Sequence, residues 1–101
     1  MDSRVNEIVM QYANLVKEQY NPLKIYLYGS CVRGENGAYS DIDVAVVFPE
    51  IKADEYMEIF GNLFSLASDI DERLEPNLFI DDGTEDKYSM LYEVVSTGRE
   101  I

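Results

Sequence analysis

The sequence has no histidine and only one cysteine among its 101 residues. The lack of imidazole excludes Ser–His and Cys–His nucleophile pairs and, with them, most zinc sites. A single thiol excludes an internal disulfide and a Cys-x-x-Cys site.

Positive charge is also scarce. Eight Lys and Arg residues face twenty Asp and Glu residues, which gives a formal net charge of −12. Binding to a nucleic-acid backbone depends on cations, so a free-standing DNA- or RNA-binding protein is disfavoured. Residues 52–101 hold thirteen acids and four bases, or −9. This half either offers an acidic face to a basic partner or simply keeps the surface solvated.

Long apolar segments are missing as well. The longest apolar run, Val44 to Phe48, is far shorter than a membrane span. The N-terminus carries acids where a secretory signal carries positive charge. We therefore expect a cytoplasmic protein, and the length predicts a single domain over residues 1–101.

Helical and extended patterns alternate along the chain. Apolar residues at helical spacing predict helices over 3–19, 52–68 and 85–96, the last ending at Gly98. Runs rich in β-branched and aromatic residues predict strands over 24–28, 41–48 and 73–80. The expected fold is α/β or α+β, with a small mixed sheet of about three strands flanked by helices.

Two carboxylates mark the start of the second predicted strand. Asp41 and Asp43 lie two positions apart, so in an extended chain their side chains point to the same side. Like charges placed together repel, and a cation relieves that repulsion. Oxygen ligands without His or Cys suit Mg²⁺ or Mn²⁺. The alternative is that the Asp-x-Asp pair is only a solvated strand end.

A glycine and a serine mark the end of the first predicted strand. Gly29 permits close backbone approach, and Ser30 offers a hydroxyl and the start of a helical turn to a phosphate. If the two strands are neighbours, a phosphate site and a metal site face each other. Arg33 follows one turn later and either reaches phosphate oxygens or pairs with Glu35 on the surface.

These residues together resemble the minimal nucleotidyltransferases of the polymerase-β-like superfamily. The resemblance rests on two segments, Ile25-Tyr-Leu-Tyr-Gly-Ser-Cys-Val-Arg-Gly34 and Ser40-Asp-Ile-Asp-Val-Ala-Val46. It implies the nucleotidyltransferase fold and transfer of a nucleoside monophosphate, with ATP as the expected substrate. It further implies that the nucleotide contacts Gly29, Ser30, Arg33 and Ser40.

The resemblance also implies a third carboxylate on a later strand. Glu75 is the candidate, so the expected catalytic and metal-binding set is Asp41, Asp43 and Glu75, with Mg²⁺ or Mn²⁺. Pro76 beside it lacks an N–H group, which predicts that this strand lies at an edge or carries a bulge. An ordinary exposed strand acid is the alternative for Glu75.

Family members of this size imply a biological setting. They are commonly encoded with a helical HEPN protein as antitoxin and toxin, and some transfer AMP to a tyrosine of that toxin. We therefore expect a protein hydroxyl as acceptor and a HEPN-like partner, with nucleic acid and membrane disfavoured. The alternative is a non-catalytic module that binds a nucleotide or masks a toxin by contact alone.

Two further features of the sequence are expected to be structural. Cys31 has no base to activate it, which favours a small buried thiol over a nucleophile. Residues 68–71 repeat Ser-Asp-Ile-Asp of residues 40–43, but they follow a helix and lack an upstream Gly-Ser. We expect the repeat to be a helix end with solvated acids.

Tyr39, in the loop before Asp41, is a further candidate for contact with the nucleotide.

Overall fold

A computed structural model of the chain describes residues 3–33, 40–83 and 89–101. Helices and strands alternate along the chain, as the sequence predicts. In chain order the elements are α1 (Ser3–Tyr20), β1 (Lys24–Tyr28), α2 (Ser30–Arg33), β2 (Ile42–Phe48), α3 (Ala53–Ile70), β3 (Leu74–Ile80), α4 (Met90–Thr97) and β4 (Arg99–Glu100).

The strands form one mixed sheet in the order β3-β2-β1-β4. β1 pairs antiparallel with both β2 and β4, while β2 pairs parallel with β3. The α3 helix supplies the crossover that a parallel pair requires. The mixed α/β class is confirmed, but the sheet has a fourth strand. A two-residue strand such as β4 shows no periodicity in a sequence.

Helices α1 and α3 cover one face of the sheet. Alternate strand residues point toward them, and Ile25, Leu27 and Val44 are fully buried there. Tyr12 of α1 donates its hydroxyl hydrogen to the backbone oxygen of Leu63 in α3 at 2.9 Å. This bond satisfies a buried polar group between the two helices. The larger core therefore lies on this face.

The opposite face has a smaller apolar cluster, formed partly by α4. Its buried members are Tyr26, Tyr28, Ala45, Val47 and Val94. Because both faces of β2 are covered along 44–48, all five of those residues are buried. The apolar run predicted this result.

The third strand lies at the edge of the sheet, as Pro76 predicts. Pro76 stands opposite Val44 of β2 and is fully buried. Proline has no backbone N–H to donate. An edge strand tolerates this because it pairs with a neighbouring strand on one side only. The same pairing brings Glu75 next to Asp43.

The last helix begins later than the sequence pattern indicates. The prediction was a start at residue 85, but the helix begins at Met90, and residues 85–88 lie outside the described part of the chain. Ser89 is its N-cap, because the Ser89 side chain accepts a hydrogen bond from Tyr92 N. Gly98 ends the helix as predicted, and its N–H donates to the Val94 backbone oxygen.

The repeated Ser-Asp-Ile-Asp segment is the end of α3. The helix stops at Ile70, and the Asp71 carboxylate accepts hydrogen bonds from Arg73 N at 2.9 Å and Arg73 Nε at 3.1 Å. Asp69 is exposed, but Asp71 is largely covered, so only the first of the two acids is solvated as predicted. The Asp71–Arg73 pair fixes the turn that leads into β3.

Replacing Asp71 by Asn should lower the free energy of unfolding by about 1 kcal/mol near pH 7. The Arg73 hydrogen bond lowers the pKa of Asp71 in the folded protein. The stabilisation that ionised Asp71 gives the fold is therefore fully present above the pKa of Asp in the unfolded chain, about 3.9. It is lost as the pH falls through the lower pKa of Asp71 in the folded protein. Urea titrations at about pH 7 and about pH 3 should show the difference between wild type and variant shrinking with acid.

The matched control is Asp69→Asn, which removes one exposed acid from the same repeat. It should change the free energy of unfolding by less than about 0.5 kcal/mol at either pH. An Asp71→Asn effect that keeps its full size in acid would contradict an ionic origin.

No helix in the described ranges is long and apolar enough to cross a lipid bilayer.

Candidate active site

Three strands bring two of the predicted carboxylates together in one row of side chains. The row consists of Tyr28, Asp43 and Glu75 and is called the carboxylate row below. Asp43 of β2 pairs with Tyr28 of β1 on one side and with Glu75 of β3 on the other. Residues paired across neighbouring strands point to the same face. Alternation places this row on the face opposite α1 and α3, because Ile42 and Val44 point into the larger core. Asp41 precedes β2 and is exposed.

Gly29 lies directly against the Asp43 carboxylate. Its backbone has φ +77°, and a Cβ at this position would collide with Asp43 Oδ2. Only glycine combines this conformation with this contact at low cost. Ser30 follows at once, half-buried, as the first residue of α2. The predicted phosphate-contacting residues and the predicted metal ligands are therefore neighbours.

The carboxylates influence one another electrostatically. Burial raises the pKa of Asp43 above its usual value, the Asp41 charge raises it further, and the Arg33 charge opposes both. The pKa of Glu75 is raised chiefly by a side-chain hydrogen bond with Asp41, then by burial and by the charges of Asp41 and Asp43. Asp41, Asp43 and Glu75 therefore lie close enough for their charges to interact.

The chemistry of this region fits a hard divalent cation. All the side-chain donors are carboxylate oxygens, which Mg²⁺ and Mn²⁺ prefer. Within the described ranges, no three acidic, thiol or imidazole side chains already stand in a metal-coordinating arrangement. Asp41 lies close enough to Glu75 for a side-chain hydrogen bond to raise the Glu75 pKa, so the oxygens of these two acids lie close together.

The remaining predicted nucleotide-contacting residues are Arg33 and Ser40. Arg33 ends α2 with an exposed side chain, close enough to Asp43 for its charge to lower that pKa. Ser40 is half-buried before β2. Gly34, Glu35 and Tyr39 lie outside the described residues, so the suggested pair with Glu35 and the nucleotide contact of Tyr39 stay predictions.

Cys31 is a buried structural residue, as expected. It is 2% exposed, and its thiol donates to the Asp41 backbone oxygen at 3.7 Å. Burial raises the pKa of the thiol first, and the Asp43 charge adds to this, so the reactive thiolate is disfavoured. The contact instead holds the strand entrance that carries Asp41.

A tyrosine–asparagine pair beside the carboxylates was missed by the sequence reasoning. Asn77 Nδ2 donates to Tyr28 Oη at 2.6 Å, on the same face as Asp43 and Glu75. Burial raises the pKa of Tyr28 to about 12, with the Asp43 charge as the next cause. The available signal was alternation, since Asn77 follows Glu75 by two positions on the strand.

A mixed sheet with Gly-Ser at the end of one strand and Asp-x-Asp at the start of its neighbour defines a nucleotidyltransferase-type domain. The family model described as "Polymerase beta, Nucleotidyltransferase" matches residues 11–101. The chain belongs to this family, as its sequence resemblance implies.

Similar proteins agree with this assignment. Two proteins of Methanocaldococcus jannaschii, each named "Putative protein adenylyltransferase", are 37% identical over 64 residues and 36% identical over 58 residues. These matches cover 60% and 57% of this chain, and the chain spans 64% and 65% of those relatives.

A solved structure shows the same fold. The crystal structure of a Sulfolobus solfataricus protein described as a "putative nucleotidyltransferase" superposes with a TM-score of 0.57 at 19% identity. The superposition covers 97% of this chain and 78% of that one. The expected nucleotidyltransferase fold is confirmed.

Proposed function

We propose that this chain transfers AMP from ATP to a hydroxyl group on a protein partner. The relatives named as protein adenylyltransferases support the reaction class. The single observation that carries the proposal is the contact of Gly29 with Asp43, because it joins a phosphate-type turn to a carboxylate row.

The side chains have separable roles in this reaction. Ser30 and the backbone at Gly29 hold the outer phosphates, and Arg33 and Ser40 lie around them. Asp41, Asp43 and Glu75 would hold Mg²⁺ or Mn²⁺. A cation held there would neutralise the negative charge that develops during the transfer. The acceptor oxygen bonds to the α-phosphorus while the bond to pyrophosphate breaks, and the hydroxyl proton leaves toward the Glu75 carboxylate.

Glu75→Gln should reduce turnover by at least about 100-fold while changing ATP affinity little, because general-base assistance acts in the transition state. Single-turnover rates and equilibrium ATP binding measure the two effects separately. Glu72→Gln removes an exposed acid just before β3 and is the matched control. Equal rates in wild type and Glu75→Gln would leave a site of two carboxylates.

The acceptor is proposed to be a protein because of the charge of the chain. A net charge of −12 gives no basic track for an oligonucleotide but attracts a basic surface. We propose a HEPN-like helical toxin as this partner, with the chain acting as its antitoxin. Association should slow as salt screens the attraction.

The test is to incubate the chain with Mg²⁺ and ATP carrying a label on the α-phosphate. The co-encoded neighbouring protein should become labelled on a hydroxyl side chain, and oligonucleotides should stay unlabelled. Efficient labelling or extension of an oligonucleotide by the chain alone would overturn the choice of acceptor. Asp43→Asn serves as the inactive control in both arms.

A non-catalytic binding module is the second candidate. The raised pKa of Glu75, caused first by its hydrogen bond with Asp41, favours it, because a carboxyl group that holds its proton more tightly is a poorer metal ligand. Such a module would suppress toxin activity equally well as wild type and as Asp43→Asn. An enzyme would lose the suppression with that change.

A further inference from the structure

A pocket of about 190 Å³ opens beside the carboxylate row. It lies between the end of β1 with α2 on one side and α4 on the other. Tyr28 and Gly29 line it, and these are the residues that pair with and contact Asp43. The pocket is therefore adjacent to the carboxylate row, so one small molecule can occupy the pocket and contact the row at the same time.

The pocket is lined by both apolar and polar residues. Tyr28 and Val94 are its buried lining residues, 8% and 2% exposed. Arg33 and Glu93, both with exposed side chains, stand at the rim. Apolar walls with a few converging polar groups are typical of small-molecule sites. A volume of about 190 Å³ leaves room for a ring system.

The charges of the rim define the kind of ring. The Glu93 carboxylate only accepts hydrogen bonds when ionised, and it repels phosphate. It therefore favours a group with N–H donors. The Arg33 guanidinium can stack on a flat ring, and the Tyr28 ring supplies an aromatic wall. A neutral heteroaromatic ring that carries an amino group fits these three residues: the amino group donates to Glu93, and the flat ring can stack on Arg33 and pack against Tyr28.

We propose that this pocket binds the base of the nucleoside triphosphate, with Glu93 accepting a hydrogen bond from the exocyclic amino group of adenine. The inference rests on the proposed function, because it takes the phosphates to lie at Gly29 and Ser30. Glu93 is then a specificity-determining residue for the nucleotide. A site built around an N–H donor rejects analogues that lack it, because the carboxylate loses its partner.

The test compares equilibrium binding of three ligands in Mg²⁺ without acceptor. They are ATP, purine riboside triphosphate, which lacks only the amino group, and inorganic tripolyphosphate. Wild type should bind ATP about tenfold more tightly than purine riboside triphosphate, as expected for one lost charge-assisted hydrogen bond. In Glu93→Gln this preference should fall to about twofold or less, because a neutral amide is a weaker acceptor.

The control variant is Glu58→Gln, which removes one exposed acid from the α3 helix and should keep the full preference. Tripolyphosphate should bind all three proteins, since it does not reach the pocket. If tripolyphosphate binds but wild type does not distinguish the two nucleotides, or if Glu93→Gln still distinguishes them, the pocket assignment is wrong. If tripolyphosphate does not bind at all, the proposed function fails and the pocket assignment fails with it.

Discussion

Asp43→Asn should reduce nucleotide transfer by roughly 1000-fold or more, which corresponds to about 4 kcal/mol of lost transition-state stabilisation. Asp43 is the central member of the row, between Tyr28 and Glu75, and it contacts Gly29. The rate should be measured with saturating ATP and Mg²⁺.

The same variant should fold normally and should be slightly more stable without metal. The substitution removes a half-buried negative charge. Burial and repulsion by the Asp41 charge both disfavour that charge in the folded protein. Thermal unfolding in a chelating buffer should show an equal or higher Tm than wild type. Asp69→Asn, from the repeated Ser-Asp-Ile-Asp segment, should keep full activity. Near-normal transfer by Asp43→Asn would exclude the row as the catalytic site.

Gly29→Ala should damage both stability and activity. The residue has φ +77°, and the added methyl group would collide with Asp43 Oδ2. Alanine is strained in this conformation, and we expect a loss of about 1–3 kcal/mol in the free energy of unfolding. Displacement of the Asp43 carboxylate should also lower transfer by at least about 100-fold. Urea unfolding and the transfer assay below the variant's Tm measure the two effects.

Gly61→Ala is the matched control with the opposite sign. Gly61 lies inside α3, and nothing stands within 4 Å of a Cβ placed there. Alanine is the better helix former by about 1 kcal/mol, so this variant should be more stable and fully active. If both glycine variants lost stability equally, the contact between Gly29 and Asp43 would not be the cause.

The local parts of the site could be predicted from the sequence, because they depend on near neighbours. The spacing of Asp41 and Asp43 and the Gly29-Ser30 break both follow from strand alternation and turn preference. Pro76 even indicated that its strand lies at an edge, as the sheet order confirms. These features need no knowledge of which strands pair.

The remaining features depend on tertiary pairing. The row that joins Tyr28, Asp43 and Glu75 follows from a register that no single strand encodes. The hydrogen bond from Asn77 to Tyr28 requires the same register. Gly98, just before the fourth strand, lies so close to the Leu27 backbone oxygen that an added Cβ would be 3.0 Å from it. Such contacts become visible only when the strands are in place.

The parallel pairing of β2 and β3 also has a consequence for the order of folding. Gly29 directly follows β1 and Asp43 lies in β2, and these antiparallel strands are near in sequence, so the contact can form early. Glu75 joins them only after α3 has crossed the sheet, and closing that longer loop is slower. β3 also lies at the edge of the sheet, paired with β2 alone, so its amides should exchange hydrogen faster than those of β1 and β2. A destabilised chain would lose its third carboxylate first while keeping the phosphate side of the site.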